Sequence, residues 1–164
     1  MQNSKKLPKE ISIFPFSNFI IFPESTVPLN IFEPRYVQMI DDAMKSHRMI
    51  GMVQPKKTGD LKKPNLYNVG CVGKITSFNE TDDGRYLIVL NGISRFEILK
   101  EISTNKLYRV CKVNYEKFSF DLKENREKIN FSNLETILKD LKSIFNKKGY
   151  AINWSELEKQ DLYN

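Results

Sequence analysis

The chain has 164 residues, 40% of them hydrophobic and 12% aromatic, which is enough for one core with a small satellite and excludes a disordered chain despite 28% charged residues. A formal charge of +6 invites a nucleic-acid reading. However, the basic pairs Lys5-Lys6, Lys56-Lys57, Lys62-Lys63 and Lys147-Lys148 are scattered among acids, and Arg, whose planar fork suits phosphates and bases, is scarce beside Lys.

In chain order, Ile11 to Phe16 and Phe19 to Pro23 read as two short strands, with Pro15 and Pro23 marking an edge, a bulge or a strand end because proline cannot donate to a ladder. The same stretch is no signal peptide: Pro15, Ser17 and Asn18 interrupt it and no small-residue cleavage site follows. Thr26 to Phe32 is a further strand. Glu33-Pro34 then turns the chain into a helix, where Tyr36, Met39, Ile40, Ala43 and Met44 recur at helical spacing and predict one face packed on a sheet. Met49 to Val53 reads as a strand buried on both sides, and Gln54 to Asn68, rich in Lys, Pro and Gly, as a loop of roughly fifteen residues, long enough to be functional or mobile.

Val72 to Glu80 and Arg85 to Leu90 flank Thr81-Asp82-Asp83-Gly84, a strong hairpin signal. A second turn is expected at Asn91-Gly92, leading into Ile93 to Leu99, and Tyr108 to Tyr115 forms the next strand. Together with the early strands, this meander predicts a small closed or half-closed barrel. Beyond Glu116, Ser132 and Glu135 form a capping box for a helix whose stripe is Leu134, Ile137, Leu138, Leu141, Ile144 and Phe145 and whose end is Lys147-Lys148-Gly149. Asn153 and Glu156 open another capped segment that Asn164 cuts short, so the helical part is expected to be truncated.

Chemistry is sparse. His47, the single histidine, sits at a polar helix end, where it is expected to meet the last helix carbonyls and not to activate a nucleophile. There is no phosphate-binding P-loop and no paired Cys/His set for zinc, and Asp82-Asp83 reads as a turn former. Cys71 and Cys111 lie singly in apolar runs and are expected to be buried free thiols, which suits a reducing, cytoplasmic setting. No apolar stretch approaches the ~20 residues of a membrane span. The expectation is therefore a protein that is no enzyme, with no cofactor, no metal and no membrane partner. The Phe-rich opening, by contrast, predicts an apolar binding surface, and proline-broken strands predict an open sheet edge for an extended segment.

Phe14-Pro15-Phe16, Ile21-Phe22-Pro23 and the run from Pro28 through Phe32-Glu33-Pro34-Arg35 to Tyr36 resemble the opening of the Lon protease N-terminal, substrate-binding domain. Val69-Gly70-Cys71-Val72-Gly73-Lys74-Ile75, Asp82-Asp83-Gly84-Arg85 and Gly92-Ile93-Ser94-Arg95-Phe96 resemble its later strand, hairpin and turn. The resemblance covers residues 11 to 118 and is to the stand-alone bacterial form without the ATPase and protease modules. It implies a mainly β fold with α: a PUA-like pseudo-barrel of about six strands with one packed helix over residues 1–118, then a helical extension over 119–164. It also implies a role in recognising protein segments; with the apolar surface and sheet edge read above, the expectation is binding of unfolded or extended polypeptide, with Phe16, Phe19, Phe22 and Tyr67 as contacts. Most signature residues have a structural reading: Pro28 and Pro34 fix φ, Gly70, Gly73, Gly84 and Gly92 permit tight backbone, Glu33 and Arg35 pin the helix entrance, and Phe32, Tyr36 and Phe96 are core, beside Arg95 in its turn. Other partner classes are RNA through Lys56, Lys57, Lys62 and Lys63, a protease or chaperone assembly served as an adaptor, and a second copy in a weak homodimer.

Overall fold

The structure, a computed structural model, describes residues 7–17, 19–60, 63–122 and 134–149. The chain divides into two compact units, Met1–Glu124 and Asn125–Asn164.

Six strands and one helix build the first unit: β1 (Glu10–Pro15), β2 (Thr26–Ile31), α1 (Pro34–Met44), β3 (Met49–Asp60), β4 (Lys63–Glu80), β5 (Tyr86–Ile102) and β6 (Arg109–Asn114), followed by a kinked 3-10 segment at Glu116–Leu122. The sheet runs β2-β5-β4-β3-β1-β6, and an added β5–β6 pairing closes five of its strands into a barrel. β2 stands outside the ring with β5 as its one strand partner among the described residues, so it is a sheet edge there. All pairings are antiparallel except β1–β3, where Ile13, Phe14 and Pro15 lie beside Gly51, Met52 and Val53. The expected mainly β pseudo-barrel with one packed helix is therefore the fold.

Two apolar clusters hold it together. One joins α1 to the sheet through Tyr36, Met39 and Ile40 against Phe14, Ile31, Ile50, Ile88 and Leu90. The other fills the barrel around Phe96, with Ile11, Ile13, Val53, Val72, Cys111 and Val113. Pro34 opens α1 at a position where a missing N–H costs nothing.

Four local expectations are corrected. Asn91-Gly92 is no turn: β5 continues through it, and buried residues alternate without a break from Tyr86 to Phe96. Gly92 is instead a docking point, because its N–H donates to the Ser25 carbonyl (2.8 Å) and its carbonyl accepts from Glu24 N–H (2.9 Å). Phe19 to Phe22 is no strand; Ser25 accepts the Phe22 N–H at its Oγ and returns its hydroxyl to the Phe22 carbonyl, closing a turn instead. Gln54 to Asn68 is largely strand, since β3 and β4 extend into it with register breaks at Pro55, where the ladder loses a donor. Phe32 is not core but 64% exposed, because the alternation that buries Val27, Leu29 and Ile31 ends one residue before it.

The second unit contains α2 (Leu134–Lys147), close to the expected bounds and ending at Gly149 with φ of 74°. Ser132, Asn153 and Glu156 lie outside the described residues.

Candidate functional site

A groove of about 820 Å³ opens in the first unit where four elements converge: the end of β1, the start of α1, the β3–β4 hairpin and the β5–β6 connection. A line of rings runs from the core to its wall, with Tyr36 and Phe16 lining the groove. Tyr36, buried on α1, meets Phe14 edge-on (4.6 Å between centroids, 89°); Phe14 stacks on Phe16 (5.5 Å, 27°); and Phe16 meets Phe19 edge-on (6.0 Å, 77°). Strand alternation explains the course: Phe14 and Phe16, two residues apart, share one face, where Phe14 is buried in the cluster with α1 while Phe16, just past the end of β1 at Pro15, keeps 38% of its surface exposed in the groove. Leu107, 62% exposed, faces the same space from the β5–β6 connection.

The remaining walls are charged. Glu101 near the end of β5 binds Arg109 Nη2 at 2.7 Å and Lys63 Nζ at 3.1 Å, and Arg109 also donates to the Pro64 carbonyl at 2.7 Å. Burial alone would raise the Glu101 carboxyl, but hydrogen bonds from Arg109 and Lys63 outweigh it and hold its pKa below the ordinary value. Lys106 Nζ reaches Asp42 of α1 (2.9 Å) and the Tyr108 hydroxyl (2.8 Å), and that hydroxyl donates to Asp42 at 2.6 Å. The hydrogen bonds from Tyr108 and then Lys106 lower the Asp42 pKa. Gln38 of α1 accepts the Leu107 N–H through Oε1 (2.9 Å), tying the connection to the helix. Glu33 makes no side-chain cap at the helix start; it binds Arg35 Nη2 at 2.7 Å, and the Arg35 guanidinium lies over the Tyr36 ring at 4.5 Å.

Of the four aromatic contacts read from sequence, Phe16 lines the groove and Phe19 adjoins it through Phe16. Phe22 is 59% exposed on the turn against Gly92, and Tyr67 is 51% exposed on β4 with Lys56 Nζ 5.6 Å above its ring; neither lines the groove. Lys57 lies on β3 and Lys63 in the groove wall, while Lys62 lies outside the described residues. Among the signature residues, Tyr36 and Phe96 are buried. Pro28 sits on the edge strand. A Cβ on Gly70 or Gly73 would collide with Phe96 and Val53 or with Leu90, and Gly84 has φ of 78° at the hairpin tip. Arg95 clasps Asp121 through Nε (2.9 Å), Nη2 (2.8 Å) and its backbone N–H (2.9 Å), with its guanidinium over Phe118, and so fastens the 3-10 segment to β5.

His47 departs from expectation. The last carbonyls of α1 are taken by the N–H groups of Lys45, Ser46 and Arg48, and His47 Nδ1 instead accepts the Met49 N–H at 3.1 Å, with burial lowering its pKa. Cys71 and Cys111 are buried free thiols. Among the described residues, no three His, Cys, Asp or Glu side chains gather as a metal set, and no helix is long and apolar enough to cross a membrane. Sequence reasoning missed Glu101, Lys106, Leu107 and Arg109. Ser103-Thr104-Asn105 between two apolar runs is a turn signal that would have paired the ends of β5 and β6 across the groove.

The sequence model of the family described as the ATP-dependent protease La (LON) substrate-binding domain matches residues 10–164. Among curated proteins, the chain is 26% identical over 144 residues to Lon protease of Flavobacterium johnsoniae, covering 87% of this chain and 17% of that protein. It is 30% identical over 139 residues to Lon protease of Parabacteroides distasonis, covering 84% of this chain and 16% of that protein. The chain thus spans less than a fifth of the length of the curated relatives it matches. Two solved structures share the fold: a Lon N-terminal domain protein from Xanthomonas campestris (TM-score 0.60, 20% identity, 80% of this chain and 72% of that one) and the N-terminal domain of Mycobacterium avium complex Lon protease (TM-score 0.57, 16% identity, 92% and 73%).

Proposed function

We propose that this chain, which belongs to the family of the ATP-dependent protease La (LON) substrate-binding domain, holds unfolded or extended polypeptide segments in the groove beside α1 and performs no chemistry on them. The observation that carries the reading is the line of rings from Tyr36 through Phe14 and Phe16 to Phe19. It joins a rigid core to a half-exposed apolar surface on the wall of a groove large enough for several side chains. Aromatic rings fixed from behind bury large area at small entropic cost, which is what a shallow site for varied segments requires. Its residues 1–118 act as the recognition domain and 119–164 as a helical extension, in the cytoplasm, with a larger protease or chaperone assembly as the machine such a module would serve.

The reading is tested by fluorescence anisotropy with a labelled, permanently unfolded polypeptide. Phe16→Ser with Phe19→Ser removes two anchors worth about 1 kcal/mol or more each, so affinity falls about thirtyfold or more. Equal affinity of the variant and the parent chain would refute the site. Because capture on an apolar surface depends little on salt, the parent affinity for a polypeptide without charged residues is expected to hold between low and moderate ionic strength.

A further inference from the structure

We infer that the groove selects segments in which carboxylates flank an aromatic or large apolar residue. This rests on the polypeptide-binding reading and adds the chemical class of segment. Four cationic side chains, Arg35, Lys63, Lys106 and Arg109, line the groove against two carboxylates, Glu33 and Glu101. Glu101 is shared between Lys63 and Arg109, so one carboxylate faces two cations. Asp42, the partner of Lys106, lies on α1 outside the groove lining and is engaged by the Tyr108 hydroxyl as well.

The most exposed of these cations are the two lysines. The Lys63 side chain is 65% exposed and that of Lys106 46%, whereas Arg109 is 19% exposed and fixed from two sides by Glu101 and the Pro64 carbonyl. Lys63 and Lys106 can therefore turn to a ligand carboxylate while Arg109 keeps the wall in place. Phe16 and Leu107 line the same groove as the two lysines and supply the apolar contact. A basic segment would meet like charge there, and like-charge contact discriminates more strongly than an extra ion pair attracts.

The test uses short labelled peptides identical except at chosen positions: Asp around Phe, Asn around Phe, Lys around Phe, and Asp around Ser, with an oligouridylate as an anionic probe of another class. The Asp-Phe peptide is expected to bind about tenfold more tightly than the Lys-Phe peptide at low salt, with the ratio shrinking at about 0.5 M salt. Lys63→Gln with Lys106→Gln should collapse that ratio while the chain stays folded, with only a small fall in the thermal melt from the lost contacts to Glu101 and Asp42, whereas Lys112→Gln, an exposed lysine of β6 outside the groove, should leave the ratio intact. Equal binding of the three Phe peptides overturns the charge selection while the proposed function stands, and binding of none of them overturns both. Oligouridylate or the Asp-Ser peptide binding as tightly as Asp-Phe, or a ratio that survives the double lysine variant, also overturns the inference.

Discussion

Replacing Gly92 by alanine probes the joint between β5 and the Phe22–Ser25 turn. The added carbon would lie 2.1 Å from the Phe22 carbonyl oxygen and 2.9 Å from its carbon, more than an ångström inside an ordinary C···O contact of about 3.3 Å. Both neighbours are backbone, so no side-chain rotation relieves the clash. The turn must move away, breaking or stretching the hydrogen bonds at Gly92 N–H to Ser25 and Glu24 N–H to Gly92. Two such bonds contribute about 1 kcal/mol each and local overpacking costs about 1–3 kcal/mol. The lower chain entropy of alanine returns about 0.5–1 kcal/mol. The expected net loss is about 2–4 kcal/mol, read as a fall of about 1 M or more in the urea midpoint at unchanged slope. Gly84→Ala serves as the comparison. Its site is open and the penalty is the positive φ alone, about 1–2 kcal/mol. A Gly92→Ala midpoint at or above that of Gly84→Ala would refute the close-approach reasoning.

Three further outcomes follow from side-chain environments. Burial pushes the Cys71 thiol up to about 12 and the Cys111 thiol up to about 11, so at pH 8 neither holds appreciable thiolate; a disulfide reagent should label neither in the folded chain and both in denaturant. Asp121→Asn deprives Arg95 of its carboxylate and should cost about 1–2 kcal/mol, with faster amide exchange in Glu116–Leu122 as the sign that the 3-10 segment has loosened. Because the folded pKa of Asp42 lies below its ordinary value, its contribution is complete above the unfolded pKa near about 4 and is lost as pH falls through the folded one. The melting temperature of Asp42→Asn should therefore drop less than that of the parent chain between about pH 5 and pH 3.

Periodicity made most of the barrel legible. The helical spacing from Tyr36 to Ala43 and the hairpin at Thr81–Gly84 depend on local contacts, and the structure has both. Failures occur where a distant segment decides the outcome. Asn91-Gly92 carries hairpin chemistry, yet the glycine answers to Phe22, some seventy residues upstream, and the unbroken alternation from Tyr86 to Phe96 was the competing signal. Composition misled for Gln54 to Asn68, where Lys, Pro and Gly mark strand irregularities and not a loop. In the groove, local pattern points to Phe16 and Phe19, because an excess of rings around a proline is visible in sequence. The cations on the opposite wall are not visible in this way, since Lys63, Lys106 and Arg109 converge only after β3–β4 and β5–β6 have paired.

The parallel and antiparallel neighbours of β1 both lie far from it in sequence: Ile13 lies beside Gly51 on one side and Arg109 on the other. A nascent chain emerging from the ribosome therefore has no finished seat for its first strand until β6 has been synthesised, and pairings of such long sequence separation form late. Phe14 and Phe16 belong to or adjoin that strand, so the aromatic surface takes its final shape only as the ring closes. Under the proposed function, capture of another polypeptide would thereby be tied to completion of this one.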